Sequence, residues 1–246
     1  MALKALVAAL AMALLLGCGV VSGTVFTLVN RCSETIWPGL AGNGGTSLAG
    51  GGFALSTGQS VPVNAPTGWS GRFWGRTGCA FSASGVGSCA TGNCVHGLKC
   101  AGSTGEPPAT LAEFTIGGDA GKDFYDVSLV DGYNVPLSIR AAGGTGDCRT
   151  AGCSSDLRSS CPAELSVKGS DGRVIACRSA CNAFGSAEYC CTGDHGNPQT
   201  CSPNKYSQIF KAACPTAYSY AYDDASSLVT CTHADYTITF CPSAAC

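Results

Sequence analysis

No CxxC pair occurs among the 18 cysteines of this 246-residue sequence, and its three histidines, His96, His195 and His233, sit in three separate cysteine contexts. Structural zinc needs clustered Cys/His ligands at short spacing, so no metal centre is expected. Neither GxSxG nor a Cys/His nucleophile pair is present, which removes the common serine- and cysteine-hydrolase arrangements. The glycine-rich tract GLAGNGGTSLAGGG (39–52) lacks GK[ST] and any strand-GxGxxG-helix setting. It reads as a loop, and no nucleotide or other cofactor is expected. There is no Asn-x-Ser/Thr sequon, so N-glycosylation is not expected either. Charge is sparse: charged residues make up 12% of the chain and the net charge is −2. That balance offers nothing to attract nucleic acid or an anionic membrane surface.

What is present begins with MALKALVAALAMALLLGCGVVSG. Lys4, the apolar run Leu6–Leu16 and the small residues Val21-Ser22-Gly23 have the layout of a signal peptide over 1–23. The run is short for a bilayer span, and no other segment approaches ~18 consecutive apolar residues. The expectation is a secreted chain starting at Thr24, with no stable membrane insertion. Leu15-Leu16-Gly17-Cys18 also has the form of a bacterial lipoprotein cleavage site, a reading that the downstream sequence opposes.

Cleavage before Thr24 removes Lys4 and Cys18, which leaves 17 cysteines in 223 residues and a net charge of −3. In an oxidising compartment such a density reads as disulfides. The stretch GSCATGNCVHGLKC (87–100) is therefore a stapled loop with His96 facing solvent.

Short alternating or aromatic-rich runs between glycine and proline breaks predict strands at 25–30, 60–63, 72–77, 111–116, 123–130, 135–140 and 236–241. The fold class is mainly β. Two cysteine-dense segments, 79–100 and 148–214, interrupt the strands as loop-rich excursions. One helix is expected in SPNKYSQIFKAACP, with Ser202 as N-cap and Pro203 at the first helical position. Tyr206, Ile209, Phe210 and Ala213 form its apolar face, read as core packing, and Pro215 ends it.

Read together, VFTLVNRCSETIWPG, GRFWGRTGC followed by GSCATGNCVHGLKC, TLAEFTI, DFYDVSLVDGYNVP, CPAEL, YCCTGDHGNPQTCSP and YSQIFKAACPTAYSYAYDD resemble the thaumatin-like proteins, the fifth class of plant pathogenesis-related proteins. The resemblance covers 24–246 and departs from the family's pattern at Asn93 and Thr216. It implies a flattened β-sandwich or barrel core over 24–77, 109–150 and 215–246. A small disulfide lobe (78–108) and a helical disulfide-rich lobe (151–214) flank it. It also implies the pairs Cys32–Cys241, Cys79–Cys89, Cys94–Cys100, Cys148–Cys231, Cys153–Cys214, Cys161–Cys177, Cys181–Cys190 and Cys191–Cys201. Spacing alone leaves the connectivity open. Cys246 has no family counterpart and is either a free thiol or a bridge between two otherwise monomeric chains.

The acids are unevenly spread. Glu113, Asp119, Asp123, Asp126 and Asp131 fall within nineteen residues that contain one base, Lys122. By itself this reads as a solvated strand edge protected by charge. The resemblance adds that Arg72, Glu113, Asp126, Asp131 and Asp224 match the family's acidic-cleft motif. Asp126 and Asp131 are an odd number of residues apart and face opposite ways on a straight strand. Asp131-Gly132, however, reads as a turn that can free the second carboxylate.

Paired carboxylates suit glycoside hydrolysis, where one acts as acid and the other as base or nucleophile. Glu113 is the candidate acid and Asp131 the candidate nucleophile or base. Asp126 and Asp224 set the charge of the cleft, and Arg72 orients the acids. Phe114, Phe124, Tyr125 and Tyr133 flank the acids as sugar-stacking or core residues. The implied function is a secreted, antifungal plant defence protein of the apoplast that binds β-1,3-glucan or a related fungal wall polysaccharide. Weak endo-β-1,3-glucanase activity is a second reading. A third is a protein-directed module, either an inhibitor of a secreted glycosidase or a membrane-permeabilising antifungal.

Overall fold

The computed structural model describes residues 23–242. The signal-peptide expectation over 1–23, Gly23 apart, and the expectations for Cys18 and Cys246 lie outside the described residues. In β1 (Thr24–Asn30), Phe26, Leu28 and Asn30 are buried and their neighbours half-exposed. This is the period of a strand covered on one face. The strands that follow are β2 (Trp37–Gly42), β3 (Ser60–Ala65), β4 (Ser70–Arg76), β5 (Ala80–Phe81), β6 (Gly87–Ser88), β7 (Leu111–Thr115) and β8 (Asp123–Ser128). The second half holds β9 (Leu137–Gly146), β10 (Ala151–Cys153), β11 (Ser166–Lys168), β12 (Val174–Cys177), β13 (Ala217–Tyr218) and β14 (Val229–Phe240).

Ten of these strands make one curled sheet in the order β10-β9-β14-β8-β7-β4-β2, with β1 also on β14, β3 on β1 and β13 on β8. The long strand β14 carries β9 on one edge, and β8 and then β1 on the other. The two branches pack on each other through rings. Phe26 of β1 lies 4.9 Å from Phe73 of β4, 4.8 Å from Phe114 of β7 and 5.9 Å from Tyr236 of β14, centroid to centroid. Such tilted and edge-on pairs contribute beyond the area they bury.

Eight disulfides join the same pairs that the resemblance implies, from Cys94–Cys100, six residues apart, to Cys32–Cys241, 209 apart. Asn93 accepts a hydrogen bond from the Cys89 amide, and Thr216 bonds both amide and carbonyl of Gly152. Both departures from the family pattern thus still serve the local loops. His96 is exposed.

Two expectations are corrected. The tract 39–52 is not all loop, because its first residues belong to the edge strand β2. Its glycines permit close approach: a Cβ on Gly39 would meet the Trp74 ring at 2.3 Å. Pro38 is tolerated because β2 is the end strand of the sheet, with β4 on one side and an isolated Gly39–Gly52 bridge on the other. The helix, α3 below, starts later than expected. Helices α1 (Ala180–Phe184) and α2 (Ala187–Cys190) precede it, α3 spans Lys205–Ala213, and α4 (Asp224–Ser227) follows.

Asn204, not Ser202, caps α3. Its Oδ1 accepts from the Tyr206 and Ser207 amides, and the Ser207 hydroxyl accepts from the Asn204 amide, a closed capping box. The inward stripe is also rotated. Tyr206, Ser207, Phe210 and the disulfide-bonded Cys214 are buried, whereas Ile209 is 37% exposed. Phe210→Ala should therefore lower stability by roughly 3–5 kcal/mol. Ile209→Ala should cost under about 1 kcal/mol. Urea denaturation with the disulfides intact measures both, and equal losses would contradict this burial pattern.

Candidate functional site

Three adjacent strands build the floor of a cleft. Arg72 of β4 stands directly opposite Glu113 of β7, and Glu113 directly opposite Asp126 of β8. Directly opposed residues share a sheet face, with Cβ atoms about 4.5–5.5 Å apart. One guanidinium and two carboxylates thus form a single row across the sheet. Arg72 Nη2 lies 3.2 Å from Glu113 Oε1.

Asp131 reaches the same cleft because β8 has ended. The Gly132 amide donates to the Leu129 carbonyl at 2.9 Å, closing a turn that takes Asp131 off the strand and out of its alternation. Gly132 adopts φ 89°, and a Cβ there would sit 2.7 Å from the Cys177 carbonyl oxygen. Only glycine fits this turn.

Arg72, Glu113, Asp126 and Asp131 line a cavity of about 340 Å³, within the range of roughly 300–1,000 Å³ usual for ligand sites. A second cavity of about 180 Å³ shares Arg72, Glu113 and Asp126 and continues along the other side of the row. Asp224 stands further back, in the first turn of α4. It accepts a hydrogen bond of 2.9 Å from the hydroxyl of Tyr218, which itself lines the cleft. The structure therefore brings four of the five motif residues to one cavity and places the fifth behind its wall, bonded to Tyr218.

The electrostatics follow from one base among four acids. Burial pushes the Glu113 carboxyl above its ordinary value, and Arg72 opposes that rise. Burial pushes Asp126 further, to about 8, with the Glu113 charge adding to the effect. Its Oδ1 is buried without a hydrogen-bond partner. Burial beside Glu113 thus favours the protonated form of Asp126.

Sequence reasoning missed Tyr218 and Ser128, both on the cleft wall. The tyrosine-rich run before Asp224 is the one local hint of the first. Of the four aromatic candidates, Phe114, Tyr125 and Tyr133 are buried in the core. Phe124 is half-exposed and lines the second cavity. Asp223, beside Asp224, is a scaffold residue that accepts from Lys211 Nζ at 2.9 Å and from Ser219. Among the described residues no cluster of His, Cys, Asp and Glu is suited to hold a metal ion.

The Thaumatin family model matches residues 30–242. The chain belongs to the thaumatin family. A pathogenesis-related thaumatin-like protein 3.5 from Cryptomeria japonica is 70% identical over 237 residues, 96% of this chain and 97% of its own length. A protein from Prunus avium named glucan endo-1,3-beta-glucosidase is 48% identical, over 98% of this chain and all of its own length. Among solved structures, a laminaripentaose-producing β-1,3-glucanase in complex with laminaritetraose superposes with a TM-score of 0.58 at 13% identity, over 88% of this chain and 98% of its own. That last likeness is one of fold. The thaumatin-family fold of this chain thus carries its row of acids on the open face of the curled sheet.

Proposed function

We propose that this thaumatin-family protein is an exported plant defence protein whose acidic cleft binds β-1,3-glucan, with slow endo-hydrolysis by the same acids. The observation that carries the reading is the Arg72–Glu113–Asp126 row on the floor of the 340 Å³ cavity. A partly desolvated set of carboxyl groups and one guanidinium suits the recognition of sugar hydroxyls, which both donate and accept hydrogen bonds. The Prunus avium relative's name supports β-1,3-glucan as the class of ligand. Glu113, raised by burial, would protonate the glycosidic oxygen, and Asp131 would act as nucleophile or as base toward water. Arg72 orients Glu113 through their ion pair.

Retention on insoluble β-1,3-glucan, with released reducing sugar followed in the same tubes, tests both halves. Retention above that on cellulose supports binding, and sugar release between about pH 4 and 6 supports hydrolysis. Equal retention on both polymers would remove the glucan reading.

A further inference from the structure

The row on the cleft floor contains one charged pair and, next to it, one further carboxyl group. Arg72 is directed at Glu113, at 3.2 Å. Asp126 stands on the other side of Glu113 in the strand register, with a buried Oδ1 that has no partner. An ionised carboxylate in that position would face Glu113 with an unsatisfied, desolvated oxygen, a costly arrangement. Protonation removes the charge, and a proton on Oδ2, the oxygen that is not enclosed, makes the group a donor toward the cavity it lines, while Oδ1 stays an acceptor.

We infer that Asp126 is the neutral hydrogen-bond donor of the cleft, presenting its carboxylic O–H to an acceptor oxygen of the bound glucan, and that the cleft releases the sugar when this proton is lost. This rests on the glucan-binding reading above.

The groups that face Asp126 leave few other sources for such a transition. From β4 there is Arg72, paired with Glu113. From β7 there is Glu113, from the turn after β8 Asp131, and from the helical side Tyr218 and Asp224. Burial and Asp224 both hold the Tyr218 hydroxyl well above its ordinary value, so it keeps its proton. No histidine or lysine lines the cavity. The raised value of Asp126, about 8, places its own ionisation where wall polysaccharides can still be assayed.

Two measurements test this on the mature protein. The first is a ¹³C NMR titration of side-chain carboxyl groups, with the Asp126 signal assigned by its loss in Asp126→Asn. It needs no sugar. A midpoint several pH units above the other aspartates is expected, and an ordinary midpoint overturns the inference whatever the protein binds.

The second is retention on insoluble β-1,3-glucan from pH 6 to pH 9. Wild-type retention should fall at least about 10-fold, as the donor becomes a charged acceptor. Asp126→Asn keeps a donor of similar shape that cannot ionise, so its retention should stay level over the same range. Asp126→Ala, without a donor, should be weak at every pH. Wild-type retention that stays flat to pH 9 overturns the inference and leaves glucan binding standing. No retention at any pH overturns the glucan reading and this inference with it.

Discussion

Arg76→Met lowers stability by about 3–5 kcal/mol, the order expected when one partner of a buried charged network is removed. Arg76 is fully buried, and among the described residues no carboxylate pairs with it. Instead Nε donates to the Trp37 carbonyl at 2.9 Å, Nη1 to that of Gly97 at 2.9 Å, and Nη2 to those of Pro38 at 3.2 Å and Leu98 at 2.8 Å. Burial brings its pKa down to about 10, so it remains a cation at neutral pH.

Two effects oppose each other in the variant. Removing a desolvated guanidinium recovers several kcal/mol. Against that, four carbonyls lose their donor, each worth about 1–3 kcal/mol when left unsatisfied. The second effect is the larger, and its damage is local. Trp37 and Pro38 belong to the edge strand β2, while Gly97 and Leu98 belong to the stapled loop around Cys94 and Cys100. Arg76 is thus the bolt between the sheet and the small lobe. The Cys94–Cys100 disulfide of Arg76→Met should become reducible by mild thiol under native conditions, with the other seven bonds unaffected. Arg76→Lys, which keeps the charge but not the planar fork, should fall between the two. An unchanged denaturation midpoint for Arg76→Met would show that the loop holds itself.

This bolt was not legible in the sequence, and the reason is physical. An arginine in RFWGRT looks like any strand residue, and its four acceptors come from segments 21 to 39 residues away. The same limit applies at the cleft. Strands β1, β7 and β8 are readable because each is a short run containing β-branched or aromatic residues between turn signals. The row Arg72–Glu113–Asp126 depends on the register between strands, which no local period encodes. It entered the sequence reading only through the family resemblance, as did the disulfide pairs. Strand β2 was lost because Pro38 and Gly39 read as breakers, although one marks a sheet edge and the other a close approach to Trp74. On α3, Phe210 lies one turn before Cys214, which is tied to Cys153, and is buried, while Ile209 stays at the rim. What is local was visible; what is tied across the chain was not.

Glu113→Gln should separate binding from turnover in the cleft. The amide preserves the shape and most of the hydrogen bonding of Glu113 but has no transferable proton. General acid catalysis contributes about 10²–10⁴-fold, so sugar release should fall by that factor while retention on glucan at pH 5 changes little. Asp131→Asn should lose turnover comparably, because an amide is neither nucleophile nor base. Glu113 fits the acid role better than Asp126. Burial raises both, yet Asp126 at about 8 is the weaker acid and the poorer proton donor at pH 5. The sign of the pH dependence follows. The active form needs Glu113 protonated, and burial raises that carboxyl above its ordinary value, so release should rise as pH falls from 7. Linkage gives an independent check in the same protein. Because the folded pKa of Asp126 lies far above the usual value of about 3.9, the unfolded chain loses that proton first. The contribution to stability is complete below about pH 4, falls as pH rises, and is gone above about pH 8. The melting temperature of Asp126→Asn should lack this decline. If Glu113→Gln and Asp131→Asn both leave residual sugar release unchanged while altering retention, the acids only bind, and the cleft is a lectin-like site.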